Sequence, residues 1–280
     1  MERPIYSSQP LFKVSNILSG KSIELLCEFH GGSHLYGLNT PASDIDVRGV
    51  YANTDYTSIL GTKRFDEERR QTASIQEDIV YKEVSHFIRL LKQSNTEALE
   101  ILFASESAFS ILSDSMKLIR SYHESLVDSE RLYKCLCGYM QGEYRLAIGE
   151  RKGQIGGKRY ESVQKYGFSP KNFTQLFRLA YAGQMFFEQN RFPVNIKEEK
   201  DPDIWNALMN IKTKPELFTK DELTLKYAEA ELALEQAYEN RVVERKFDED
   251  KANELLFDVY MPHLVNGYQE ALSKRIKSRE

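Results

Sequence analysis

The chain is short of cysteine, of long apolar runs and of net positive charge, and each shortage excludes something. Three cysteines, Cys27, Cys135 and Cys137, in 280 residues form an odd set with no disulfide framework, so an apolar core must hold the fold. Cys135 and Cys137 stand two apart in a helical pattern, and side chains at that spacing point in different directions. That favours core thiols over a shared metal site. No apolar stretch approaches the roughly 20 residues that cross a bilayer. The start, MERPIYSSQP, has no basic segment leading into an apolar run, as a secretory signal would. A cytoplasmic protein without a membrane partner is the expectation. The formal net charge of −4 gives no general attraction for nucleic acid.

What is present is an ordinary globular composition, 41% hydrophobic and 29% charged, with enough length for one large or two modest domains. The charge is unevenly spread. Between Arg145 and Arg178 stand Arg145, Arg151, Lys152, Lys158, Arg159, Lys165, Lys171 and Arg178, opposed only by Glu150 and Glu161. This stretch has a surplus of six positive charges and leaves the rest of the chain at −10. A basic island on an acidic protein points to an anionic partner, with a solvated face as the plain alternative.

The most informative segment is GGSHLYGLNTPASDIDVRGVY, residues 31–51. A strand has a side-chain period of two, so Asp44 and Asp46 project from one face while Ile45 and Val47 take the other. Neighbouring carboxylates repel unless a cation lies between them, and hard oxygen ligands favour Mg²⁺ or Mn²⁺. Upstream, Gly32 lets the backbone approach a phosphate closely and Ser33 adds a hydroxyl. Ser43, just before the acids, either contacts phosphate or fixes its turn. Arg48, two residues beyond Asp46, either pairs with an aspartate or approaches a phosphate. His30 and His34 flank the Gly-Ser turn, but no third ligand stands at a zinc-like spacing. Gly153-Gln-Ile-Gly-Gly-Lys158 has the wrong spacing for a P-loop, and Arg159 replaces its Ser or Thr.

A Gly-Ser followed about ten residues later by two acids one residue apart resembles the signature of the polymerase β-like nucleotidyltransferases. The longer string GSHLYG…SDIDVRGVY is similar to a narrower group, the predicted nucleotidyltransferases of bacteria and phages associated with RNA-repair pathways. The resemblance spans about residues 24–104 and 160–194. It implies a Mg²⁺-dependent transfer of a nucleoside monophosphate from a nucleoside triphosphate to a hydroxyl, with RNA the favoured acceptor. Nucleotide transfer onto protein and a catalytically silent binding protein are the competing readings.

A metal pair of this kind usually takes three carboxylates, and QEDIVYKEV offers the third. Asp78 is preferred, on the strand pattern and on the resemblance; Glu77, on the opposite face, is the alternative. Lys171 and Arg178 lie seven apart, two helical turns along one face. With Pro193-Val194 they match the group's pattern, which assigns both cations to the triphosphate or the nucleic-acid backbone.

The periodicities predict an α+β fold: a mixed sheet with flanking helices over residues 1–105, then an all-helical domain over 106–280. Strands are expected at 24–29, 45–52 and 74–84, with a loop from 53 to 74 and a short helix at 11–19. Val84, Phe87, Ile88 and Leu91 form a helical stripe, and a second follows from Ala98 to Phe103. Beyond 105, helices are expected over 107–122, 127–152, 170–190, 201–211, 219–245 and 249–278, with 153–168 irregular. No strand is expected there, and no internal repeat is visible.

Overall fold

Strands β1 (Ile23–His30), β2 (Ile45–Asn53), β3 (Glu67–Thr72), β4 (Glu77–Glu83) and β5 (Phe109–Leu112) form one sheet in the order β3-β4-β2-β1-β5. The computed structural model describes residues 22–61, 67–72, 77–150 and 158–277. β1 runs antiparallel to β2 and β5, β3 runs antiparallel to β4, and β2 and β4 are parallel. The β2–β4 register sets Asp46 beside Asp78 and Val47 beside Ile79. Alternation then divides the sheet's faces. Val47, Tyr51, Ile79 and Tyr81 make a small cluster on one face. Val50 and Ala52 join Leu26 and Phe29 in the large core on the other.

That core is covered by α3 (Val84–Lys92) and α4 (Thr96–Phe103), and deeper by α6 (Ser129–Ala147) and α8 (Pro170–Gln189). The expected stripe of α3 is buried at Val84, Phe87, Ile88 and Leu91. Asn95 starts α4 by accepting a hydrogen bond from the Ala98 N–H, which satisfies one of the orphan donors of a helix start. Proline at the first position of α8 needs no N–H there and has its φ preset for a helix. Around these lie α5 (Asp114–Ser121), α7 (Lys158–Tyr166), α9 (Pro202–Thr213), α10 (Lys220–Glu239) and α11 (Glu249–Lys277). Among the described residues no helix is long and apolar enough to cross a membrane.

Several expectations need correction. Residues expected as loop contain the one-turn helix α2 (Tyr56–Leu60) and strand β3. The β3 sequence EERRQT lacks apolar alternation because it forms a sheet edge, where charge is tolerated and discourages pairing with other chains. Residues 109–112, expected as helix, are β5. A four-residue strand is too short to show its period inside a helix-like window. Strand β5 joins the sheet beside β1, and one apolar core joins Leu26 and Val50 to Leu176 and Leu234. Lys158–Tyr166, expected as irregular, is helix α7. The expected helix at 11–19 lies outside the described residues.

Candidate active site

The site forms where the end of β1 meets the start of β2. The Gly31 N–H donates to the Asp46 carbonyl at 2.8 Å, and the chain turns at once into α1 (Gly32–Leu35). Gly32 has φ +58°, and a Cβ placed there would fall 2.2 Å from Asp46 Oδ2. Only glycine allows both the left-handed backbone and this approach. Ser33 follows, so its helix starts against the acidic end of β2.

Asp46 and Asp78 are partners across the parallel strands and share a face, while Glu77 pairs with Ile45. Asp44 stands one residue ahead of β2, exposed. Burial raises the Asp46 carboxyl above its ordinary value. Arg48 opposes that, Asp78 and Asp44 add to it, and Lys171 lowers it. The structure thus brings Asp44, Asp78 and Lys171 within electrostatic reach of Asp46. Asp78 Oδ1 is buried without a hydrogen-bond partner.

Arg48 is the hub between the acids. Its Nη2 donates to Asp78 Oδ2 at 2.9 Å and lies 3.5 Å from Asp46 Oδ1. Its Nη1 donates to the Asp78 carbonyl at 2.6 Å, and its Nε to Glu97 Oε1 at 3.2 Å. Glu97 in turn accepts from Lys82 Nζ at 2.6 Å. Of the two roles open to Arg48, pairing with aspartate is the one seen. Ser43 fixes its turn: its Oγ accepts from the Thr40 N–H at 2.8 Å.

Arg178 requires a correction. It is fully buried, its Nη2 bonded to Glu100 Oε1 at 2.7 Å and its guanidinium carbon 3.5 Å from the Tyr36 ring centroid. Seven residues of helix at 1.5 Å each set it about 10 Å further along α8 than the exposed Lys171, so the shared face leads inward. A cation with no exposed surface cannot contact a triphosphate directly. Of the remaining basic island, Arg145, Lys165 and Lys171 are exposed and Arg159 is half-buried. Arg151 and Lys152 lie outside the described residues, and nothing of the Lys158 side chain is described.

The sequence alone did not single out Glu97, Lys82, Glu100, Tyr36 or Lys212. A signal existed for Glu97, an acid in the first turn after the Asn95 cap. Lys212, on α9, donates from Nζ to the Leu38 carbonyl at 2.5 Å. Burial and the nearby Lys171 charge hold its ammonium below the ordinary lysine value. Two lysines repelling each other favour an anion between them.

A divalent cation suits this donor set. The oxygens are hard and carboxylic, one is buried and orphaned, and the Asp46 carboxyl is under electrostatic pressure. Among the described residues no three carboxylate, imidazole or thiolate groups are gathered as a ready cage. Arg48 meets part of the demand for positive charge instead.

The sequence profile of the RNA repair pathway DNA polymerase beta family matches residues 9–258. None of the curated proteins matches the chain. A nucleotidyltransferase-like protein from Exiguobacterium sibiricum is similar in structure at 10% identity and a TM-score of 0.29, over 85% of this chain and 73% of that one. With the family profile spanning most of its length, the chain belongs to the RNA repair pathway DNA polymerase beta family, within the polymerase β-like nucleotidyltransferases.

Proposed function

We propose that the protein transfers a nucleoside monophosphate from a nucleoside triphosphate to a hydroxyl, with an RNA end as acceptor. The observation that carries this reading is the in-register pair Asp46–Asp78 on parallel strands, with Gly32 packed against it. Asp44, Asp46 and Asp78 would hold Mg²⁺ or Mn²⁺. When bound, the cation would lower the pKa of the attacking hydroxyl and offset charge on the phosphate oxygens.

The chain's own groups do the positioning. Gly32 gives the triphosphate access to backbone, Ser33 offers it a hydroxyl, and Lys171 with Lys212 supplies positive charge for its tail. Arg48 orients Asp46 and Asp78 through the contacts described above. Holding the reactants in line and offsetting developing charge is most of what nucleotidyl transfer asks of a protein. RNA as acceptor is supported by the family's description and by the outward cations Arg145, Lys165 and Lys171.

Incubation with each labelled nucleoside triphosphate, Mg²⁺ and a pool of RNA should label RNA, and Asp44→Ala with Asp46→Ala should abolish the labelling. Equal labelling by that double variant would refute the mechanism. Label appearing on polypeptide instead would replace the acceptor.

A further inference from the structure

Tyr36 directly follows the last residue of α1, and its N–H donates to the Gly32 carbonyl at 3.2 Å. Its hydroxyl donates to Glu100 Oε2 at 2.9 Å, and Arg178 occupies the other oxygen of the same carboxylate at 2.7 Å. The guanidinium also packs on the Tyr36 ring, so one contact set joins α1, α4 and α8.

The polar contacts continue from there. Arg178 Nε donates to Gln175 Oε1 at 3.1 Å. Tyr139 of α6 lies within electrostatic reach of Glu143, Arg178 and Glu100. Asn172 Nδ2 donates to Glu143 Oε2 at 2.7 Å, and Ser169 Oγ donates to Asn172 Oδ1 at 2.6 Å. Ser169 and Asn172 enclose Lys171 in the sequence. Two hydrogen-bonded sets, bridged by the electrostatic reach of Tyr139, therefore form a series from the residue after the Gly-Ser helix to the residues around the tail-binding lysine. Its middle member, α4, carries Glu97, the partner of Arg48, in its first turn.

We propose that this series, with the Glu100–Arg178 pair at its centre, is a positioning device that sets Ser33 and Lys171 at matched places along one triphosphate. The inference rests on the nucleotidyltransferase reading above and deepens it.

Stability alone does not account for the arrangement. The side chains of Arg178 and Glu100 are 0% and 5% exposed, so both have given up their hydration. An apolar pair of similar volume in such a place is often as stable or more so. Arg178 Nη1 is buried without a partner, an unmet donor that a site shaped for stability would have satisfied or removed. Directional bonds do what apolar contacts do not: they fix the orientation and the distance between the elements they join. The elements joined here are those that bear Ser33, Glu97 and Lys171.

The test compares wild type with the double variant Glu100→Met/Arg178→Met, which replaces the ion pair by apolar side chains. Affinity for magnesium tripolyphosphate is measured by calorimetry, kcat and KM with nucleoside triphosphate, and stability by urea unfolding. The expected result is an unfolding midpoint at or above wild type, with tripolyphosphate affinity reduced about tenfold and the loss of activity carried by KM rather than kcat. Ser33→Ala and Lys171→Ala should each weaken binding by about tenfold in the wild type and by less than about twofold in the double variant. A network that merely stabilises the fold would leave those two factors equal in both backgrounds.

Wild-type affinity in the folded double variant, or equal factors in the two backgrounds, would overturn the proposal. If the double variant does not fold, Glu100→Gln takes its place. A loss of affinity of about threefold or more supports positioning, and unchanged affinity overturns it. Absence of tripolyphosphate uptake by the wild-type protein would refute the nucleotidyltransferase reading itself, and with it this inference.

Discussion

Gly32→Ala tests the site's geometry most directly. At φ +58° an added Cβ brings a backbone penalty of roughly 1–2 kcal/mol. The same Cβ would lie 2.2 Å from Asp46 Oδ2, well inside contact distance, so the carboxylate must swing away. Gly167→Ala separates these two effects. Gly167 has φ +79°, but no neighbouring atom lies within 4 Å of where its methyl group would stand, so it carries the backbone penalty alone. Urea unfolding should show both variants less stable than wild type by about 1–2 kcal/mol. Calorimetry with Mg²⁺ or Mn²⁺ and a non-hydrolysable nucleoside triphosphate should separate them. Gly167→Ala should bind as wild type does, and Gly32→Ala should bind at least about tenfold more weakly, a difference of about 1.4 kcal/mol. Equal affinity of Gly32→Ala and Gly167→Ala would show that the position of the Asp46 carboxylate does not matter to binding.

Two further outcomes follow from the charges around the site. For Glu97, burial raises the carboxyl, but Lys82 and Arg48 together outweigh it and hold the group below its ordinary value. A depressed carboxyl stabilises the fold above its unfolded pKa and loses that contribution as pH falls through the folded value. Glu97→Gln should therefore unfold more easily at pH 7, by about 1–3 kcal/mol because buried Lys82 loses its anion, with the gap from wild type closing in acid. Lys212 has the opposite sign: its ammonium is depressed, so its proton costs folding energy below the unfolded lysine value of about 10.4. Lys212→Met should be at least as stable as wild type at pH 7, bind nucleoside triphosphate about tenfold more weakly, and show a shallower dependence on salt. Unchanged affinity and unchanged salt dependence would remove Lys212 from the site.

Much of the corner that gathers Asp44, Asp46 and Asp78 was legible because its signals are local. The alternation of Asp44-Ile45-Asp46-Val47 marks the strand and its acidic face, and Asp78 lies in a strand whose apolar residues follow at once with Ile79 and Val80. Ser169-Pro170 announced α8 because proline suits only a first turn. What escaped was set by long-range contact. β3 is recognisable only through its pairing with β4, and β5 only through its pairing with β1. Arg178 illustrates the limit best. Spacing correctly put it on the same helical face as Lys171. Whether that face meets solvent or a carboxylate depends on Glu100, 78 residues earlier in the chain, and on Tyr36, earlier still.

The parallel alignment of β2 with β4 has a consequence for how the chain folds after synthesis. Side chains alternate along β4, so displacement by a single position would bring Glu77 to the face that Asp46 occupies and turn Asp78 toward the surroundings that Ile79 now occupies. Such a misaligned molecule would keep most of its secondary structure and still separate Asp78 from Asp46 and Arg48. Correct pairing therefore decides which carboxylates meet as well as how the strands pack. The apolar neighbours Ile79 and Tyr81, which would be forced out of their cluster by the slip, guard it.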